Sequence, residues 1–267
     1  MKRNSNFLIF ILIICLSILS GCTNHASGIS QDTLSKDKDT LYQVSTINSL
    51  LAGNYDGFQS IGDLKENGDV GIGTFDTLDG ELVMIDKKVY KVKDTGVVEE
   101  VEDSVTTPFA AVTFFDKDIS EELVQISDFN SLTQELDNLI ENKELFYAFR
   151  IDGIFQYVKT RSVPKQNKPY QILSEVTKNQ PTFEYTDIKG SLIGFWCPKY
   201  VGGVNVPGYH LHFISEDRIK GGHLLDIRFD KASTYADITD SFHMDLSQLS
   251  VSGSIADVQK EIDRTEK

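Results

Sequence analysis

Three of the five histidines in this 267-residue chain fall within 14 residues, in "GYHLHFISEDRIKGGHLLD", Gly208 to Asp226. His210 and His212 stand two apart in a run of β-branched and aromatic residues. On a strand, residues i and i+2 project from one face. "SEDRIKGG" is rich in turn formers and predicts a hairpin that returns as "HLLDIRF". His223 then lies near the level of His212 on the neighbouring strand, where cross-strand Cβ atoms are about 4.5–5.5 Å apart. Three imidazoles so placed can close on one ion with metal–nitrogen bonds of about 2.0–2.1 Å. Three neutral nitrogen ligands suit Zn²⁺ and leave positions open for a reactant, the arrangement of a catalytic rather than a structural site.

Two other readings compete. Surface or core histidines making ordinary hydrogen bonds would need no ion. "HLHFISE" also fits H-x-H-x₃-E, half of the cupin metal motif, with Glu216 as the carboxylate. A cupin takes its last histidine from a more distant strand, and Glu216 sits in "SEDR", which reads better as a turn.

These side chains need a scaffold, and the pattern from Leu41 onward is sheet-dominated. "VGIGTFDTLDGELVMIDKKVYKV", Val70 to Val92, predicts three strands joined at "LDG" and "DKK". "FAAVTFF", Phe109 to Phe115, predicts a strand covered on both faces. Asp128 to Lys143 changes to helical spacing, with Leu132, Leu136, Leu139 and Ile140 on one side, and is a natural divider between two halves. Leu145 to Pro164 returns to strands with a bend at "DG". Gln171 to Lys178 predicts a short helix. "GSLIGFWCP", "YHLHFIS" and "HLLDIRFD" predict strands, with Phe195, Trp196 and Cys197 in the core. "SIADVQKEIDRTE" predicts a closing helix with Ile255, Val258 and Ile262 on one face. The expected fold is α/β, with a few short helices.

Forty per cent hydrophobic residues can bury a sizeable core, while the formal net charge is −14. That charge speaks against nucleic acid, which needs a basic face, and against electrostatic binding to anionic lipid. An anionic substrate would gain nothing from long-range attraction, so its site must carry a local cation or metal.

The N-terminus reads as a processing signal. Lys2 and Arg3 precede an apolar run from Phe7 to Leu19, which is short for a membrane span. The run ends in "LSGC", which resembles the lipobox of bacterial lipoproteins, with Cys22 as the acylated first residue. Residues 1–21 are then a signal peptide, and 22–40 a polar tether that contains His25. The mature protein would be extracytoplasmic and anchored to the cell membrane through lipid. Only Cys197 would remain as a thiol, so no internal disulfide forms.

Beyond the tether, several segments together resemble the acetolactate decarboxylase family. They are "LLAGNYDG" (Leu50 to Gly57), "GIGTFDTLDGELVMIDKKVYKV" (Gly71 to Val92), "TPFAAVTFF" (Thr107 to Phe115), "KTRSVPKQNKPY" (Lys159 to Tyr170) and "NVPGYHLHFISEDRIKGGHLLDIRF" (Asn205 to Phe229), in the family's order. The resemblance implies one domain over 41–267 with two packed mixed sheets, an N-terminal sheet over about 41–145 and a metal-bearing half over about 146–267. It implies a homodimer, and decarboxylation of 2-acetolactate to acetoin and CO₂. It assigns zinc to His210, His212 and His223, catalysis to Glu81 and Arg161, and the pocket lining to Thr74 and Leu78. A glutamate near the C-terminus completes the set; "KEIDRTEK" offers Glu266, the better placed, and Glu261. On the residues alone, Glu81 reads as a turn carboxylate, Arg161 as part of a surface basic run and His243 as structural. A non-catalytic metal- or ligand-binding lipoprotein would not need Glu81 and Arg161 beside the histidines.

Overall fold

The computed structural model describes residues 38–246 and 258–265. The signal peptide, Cys22, His25 and Glu266 lie outside the described residues. Among those described, no helix is long and apolar enough to cross a membrane.

The chain opens with β1 (Thr40–Val44) and a short helix α1 (Ile47–Leu51), whose cap Thr46 accepts the Ser49 N–H. β2 (Gln59–Ser60) leads into α2 (Ile61–Lys65), capped in the same way by Ser60. The expected meander follows as β3 (Val70–Thr74), β4 (Glu81–Ile85) and β5 (Lys88–Val92). Next come β6 (Val98–Glu100), β7 (Thr106–Thr107), β8 (Ala110–Thr113) and β9 (Ile119–Ile126). All four residues of β8 are buried, as a strand covered on both faces requires. α3 (Phe129–Asp137) starts where Asp128 accepts the Ser131 N–H at 2.7 Å. It is shorter than the leucine spacing suggests, because the segment "NLIENK" that follows favours caps and turns over helix. β10 (Phe146–Arg161), α4 (Leu173–Val176), β11 (Thr182–Cys197), β12 (Gly208–Ser215), β13 (Gly221–Thr239), β14 (Ser241–Asp245) and α5 (Val258–Thr265) complete the order.

The strands form a seven-stranded sheet, ordered β14-β1-β8-β3-β4-β5-β6, a five-stranded sheet, ordered β10-β11-β12-β13-β9, and a two-stranded pair of β2 with β7. The parallel pairing of β1 with β14 makes the first sheet mixed. In the second, β13 pairs with β12 and also runs along β10, so four strands close on themselves. The sequence boundary near 145 is crossed twice: β9 joins the later sheet and β14 the earlier one. α3 packs onto β13 and β9, so it belongs to the second sheet and does not divide two halves.

Four apolar clusters result. One fills the curled second sheet, from Phe155, Phe213 and Phe229 to Leu132 and Leu136 of α3. A second lies between the sheets, with Ile72, Val83 and Val92 facing Ala148, Ile193 and Phe195. A third backs the first sheet under Ile61 and Leu64 of α2. The fourth gathers α1, α4 and α5 around Leu78, Phe109 and Val163.

The expected bend at "DG" is absent. Gly153 pairs with Gly190 on one side and Ala232 on the other, and a Cβ there would lie 2.9 Å from the Ala232 Cβ. This glycine serves close strand approach and does not turn the chain. The irregularity comes later. Lys159 pairs with Asp226, but Thr160 pairs with Leu224 and Arg161 with His223. The extra residue in β13 is a bulge, and a one-residue shift exchanges the faces of a strand. Arg161 and His223 are thereby brought level.

Gly222 locks that register. Its φ of +129° is one that side chains rarely adopt, and an added Cβ would stand 2.4 Å from the Arg161 carbonyl oxygen. Gly222→Ala is expected to destabilise the fold by about 1–3 kcal/mol, lowering the melting temperature by roughly 2–12 °C for a chain of this size. A thermal melt within error of the parent would show that this register tolerates displacement.

Candidate metal centre and catalytic site

His212 and His223 are direct partners across the β12–β13 ladder, and His210 stands two residues before His212. His210 and His212 pair with Phe195 and Ile193 of β11, which face the space between the sheets. All three imidazoles are buried. His210 Nε2 lies 3.2 Å from His223 Nδ1 and 3.2 Å from His212 Nε2. The edge of a tetrahedron with bonds of about 2.0–2.1 Å is about 3.4 Å, so the spacing matches ligands around one ion. Among the described residues this is the one group of histidine, cysteine or carboxylate side chains drawn so close together.

Proton inventory points the same way. His212 Nδ1 lies 2.8 Å from the Leu82 carbonyl oxygen, which accepts its proton and leaves a lone pair on Nε2. A proton on His210 Nε2 could serve one neighbouring nitrogen but not both. A cation at the centre satisfies all three. Burial, followed by the nearby Arg161 charge, holds His210 down to about 3. Burial also holds His212 far below the usual imidazole range. Both are neutral at pH 7, which is the ligating form.

Glu81 starts β4 and reaches the cluster from the opposite sheet. Gly80, at φ +92°, makes this possible, since a Cβ there would lie 2.4 Å from the Val92 carbonyl oxygen. Glu81 Oε2 stands 3.7 Å from His212 Nε2, and Oε1 stands 3.7 Å from Arg161 Nη1. Glu81 and Arg161 are only 6% and 2% exposed, which removes the turn-carboxylate and surface-cation readings. Gln180 Oε1 accepts from Arg161 Nη1 at 3.0 Å and holds the guanidinium.

Before Gly80 the backbone is strained. Thr77 and Leu78 both take positive φ, 61° and 58°, which is unusual for a β-branched residue. Leu78 thereby turns toward a narrow cleft that also touches Thr74, Glu81, Arg161 and His210. Leu50 and Leu173, from α1 and α4, supply apolar wall to the same cleft. Ile262 of α5 is buried in the cluster behind that wall. A larger, more open depression near Arg150, Asp152 and Lys189 is lined by none of these site residues. Its charges pair locally, as Arg150 with Asp152 at 2.9 Å and Lys189 with Glu216 at 2.6 Å.

The structure thus gathers His210, His212, His223, Glu81, Arg161, Thr74 and Leu78 at one place. It leaves Glu216 outside, in an exposed turn paired with Lys189, so the cupin arrangement is not formed. His243 stacks on Tyr42 and contacts Asp245 at the far edge of the first sheet. Glu261 lies on α5 with Oε1 on Arg264 at 2.7 Å. Gln180, the Leu82 carbonyl and the walls from α1 and α4 are absent from the sequence-based set. Gln180 sits in "KNQP" with no pattern to mark it, and a carbonyl has no sequence signal. The apolar walls are visible in the sequence only as core.

Comparison with known proteins agrees with this geometry. The family model for alpha-acetolactate decarboxylase matches residues 41–251. The alpha-acetolactate decarboxylase of Methanosarcina mazei is 44% identical over 243 residues, covering 85% of this chain and 84% of that protein. That of Brevibacillus brevis is 45% identical over 226 residues, covering 80% and 79%. The crystal structure of alpha-acetolactate decarboxylase from Bacillus subtilis strain 168 superposes with a TM-score of 0.82 at 36% identity, covering 85% of this chain and 99% of that one. With most of its length matched in sequence and in fold, the chain belongs to the alpha-acetolactate decarboxylase family.

Proposed function

We propose that the protein is a zinc-dependent decarboxylase that converts 2-acetolactate to acetoin and CO₂, with His210, His212 and His223 as metal ligands and Glu81 and Arg161 as catalytic groups. The observation that carries this reading is the meeting of a carboxylate and a guanidinium, both buried, with three converging imidazoles. A passive metal-binding module has no use for that pair.

The substrate carries a carboxylate, a tertiary hydroxyl and a neighbouring ketone. When its C–C bond to the carboxylate breaks, CO₂ leaves and the electron pair must pass to the ketone. Zn²⁺, when bound by the three histidines, supplies a Lewis acid that polarises that ketone and holds the developing charge, worth several kcal/mol. Arg161 offers a planar fork to the carboxylate and sets its angle to the carbonyl. Glu81 takes the hydroxyl proton, Glu81 or Arg161 delivers a proton to carbon on one face, and a second proton taken up from solvent restores the hydroxyl to give acetoin. Thr74 and Leu78 bound the substrate, and the apolar walls exclude water from the carboxylate. Three neutral imidazoles and the Glu81–Arg161 pair sum to zero, so a divalent ion makes the site locally cationic inside a chain of net charge −14. The anion is then attracted where it reacts and nowhere else.

Purified protein is expected to form acetoin from 2-acetolactate, to lose this activity to a chelator, and to regain it with Zn²⁺. His212→Ala should lose most bound zinc by metal analysis. Arg161→Lys should keep the zinc but lose at least about tenfold in turnover, because lysine keeps charge without the fork. Activity that survives both chelation and His212→Ala would exclude the metal role, and an unaffected Arg161→Lys would return Arg161 to a structural one.

We also assign Glu266 to the site. The basis is the family resemblance, which puts a glutamate from near the C-terminus in the site; Glu266 itself lies just beyond the described end of α5. Glu261 is engaged by Arg264 through Oε1, while its Oε2 is buried without a hydrogen-bond partner, so both carboxylates enter the test. Glu266→Gln should lower turnover strongly with an unchanged melting temperature, while Glu261→Gln does less. The reverse order would identify Glu261 as the tail carboxylate, and two normal variants would remove the tail from catalysis.

We place the enzyme outside the cytoplasm, held at the membrane by acylated Cys22. Cys22→Ala should move it from the membrane fraction to the soluble one; unchanged membrane association would reject the lipobox.

A further inference from the structure

A further buried polar group lies at the other end of β13. Asp237 and Thr239 are both fully buried. They stand two apart on one strand, opposite Ala148 and Phe146 of β10. Both of those residues belong to the apolar cluster between the sheets. Neither oxygen of Asp237 has a hydrogen-bond partner, and neither does the Thr239 hydroxyl. The backbone N–H of Asp116 faces Asp237 but falls outside hydrogen-bond geometry for either oxygen. An ionised carboxylate left this way costs several kcal/mol unless a proton or a cation compensates it.

The surroundings increase the cost. Asp39, Asp116 and Asp118 each add negative charge around Asp237. The neighbouring basic residue Lys117 is turned over the Tyr235 ring, 3.7 Å from its centre. Burial and these three carboxylates push Asp237 up to about 8. Asp118 keeps one oxygen beyond the one that accepts from Ile238 N–H, and Asp116 keeps one beyond its bond to Lys117 N–H. Every donor here is oxygen. Carboxylates and a hydroxyl without imidazole or thiolate select a hard cation, and a flexible set of several carboxylates suits Ca²⁺ better than the strict octahedron of Mg²⁺.

We propose that Asp237 and Thr239, with Asp116 and Asp118 drawn in from the β8–β9 loop, hold a Ca²⁺-class cation in a structural site separate from the histidine centre. His223 begins the same strand, 14 residues earlier, which is on the order of 45 Å along an extended chain. Unlike the three imidazoles, these carboxylates do not converge to ligand spacing in the ion-free chain. Binding therefore draws the 116–118 loop toward Asp237, and water completes the shell. The ion would tie that loop, which links the two sheets, to the end of β13.

Zinc-loaded protein titrated with CaCl₂ alone should bind one Ca²⁺ by calorimetry, with a dissociation constant on the order of 0.1–1 mM. At about tenfold excess over that constant the melting temperature should rise by roughly 3–6 °C. MgCl₂ should bind more weakly. His212→Ala should keep the Ca²⁺ shift, since it touches only the other site. Asp237→Asn should weaken Ca²⁺ binding by at least about 100-fold. It should also melt higher than the parent without Ca²⁺ at about pH 9, where the parent's Asp237 has lost its proton and its charge is uncompensated. Thr239→Val, which keeps the strand and the carboxylate, should weaken binding by about tenfold and serves if Asp237→Asn does not fold. No Ca²⁺ binding at millimolar concentrations, a shift that survives Asp237→Asn, or a shift lost in His212→Ala would each overturn the site.

Discussion

Glu81 and Arg161 come from different sheets and meet where both are shielded from water. Removing a charge from water costs several kcal/mol even after relaxation, and taking away one partner of a buried pair costs about 3–5 kcal/mol. The two sheets can pack closely at this end only if those charges face each other. That single requirement fixes several registers together. β4 must begin at Glu81, β10 must reach Arg161 in phase with His223, and β12 must offer His212 to the Leu82 carbonyl. A slip of one residue in any of them would point a charge at apolar core or a histidine at solvent. The glycines at 80 and 222 stand where the backbone must pass within van der Waals distance of a neighbouring carbonyl. They are the local cost of holding that phase.

The histidine cluster is legible in the sequence because it rests on short-range rules. Period-two spacing and one tight turn bring His210, His212 and His223 together without knowledge of the rest of the chain. Arg161 is not legible from its own surroundings. "KTRSV" looks like a surface basic run, and its burial depends on pairing with β13 more than 60 residues later and on a bulge no local pattern marks. Glu81 is hidden in the same way, since "DGE" is ordinary turn chemistry until the second sheet covers it. Only likeness to a family across several segments raises either above a surface residue. The length of β13 is hidden for a different reason. "KASTYADITD" lacks the apolar content of a half-buried strand, and its alternation is carried by alanine and threonine.

The cleft depends on three helices of four to eight residues, from the beginning, middle and end of the chain. Helices this short are not stable alone in water. α1, α4 and α5 persist because they cover Leu78, Phe109 and Val163 together. The apolar wall beside the histidine cluster is thus a joint product of distant segments. In the proposed reaction it would also do chemical work. Loss of CO₂ disperses a localised carboxylate charge, so a dry wall that solvates the reactant carboxylate poorly favours the step. Strain at Thr77 and Leu78 fits that arrangement, because it turns an apolar side chain into the cleft beside the polar Thr74 and Glu81.

Burial between the sheets poses opposite problems at the two ends of β13. At one end, His210 ionises only near pH 3 when folded, against about 6.5 when unfolded. Its contribution to stability is therefore present above about pH 6.5 and is lost as pH falls toward 3. At the other end, Asp237 keeps its proton up to about pH 8 when folded, against about 3.9 when unfolded. Its contribution is present below about pH 4 and is lost as pH rises through 8. Without ions, the acidic and alkaline limits press on the fold from both sides, each at its own end of one strand. A cation at either end changes the balance, because it replaces the proton as the partner of the buried group. At the histidine end it takes the lone pairs that acid would otherwise protonate. At the aspartate end it takes the charge that alkali would otherwise leave bare. Both ends lie in the layer where the sheets meet, so each ion would stabilise the packing of one sheet against the other.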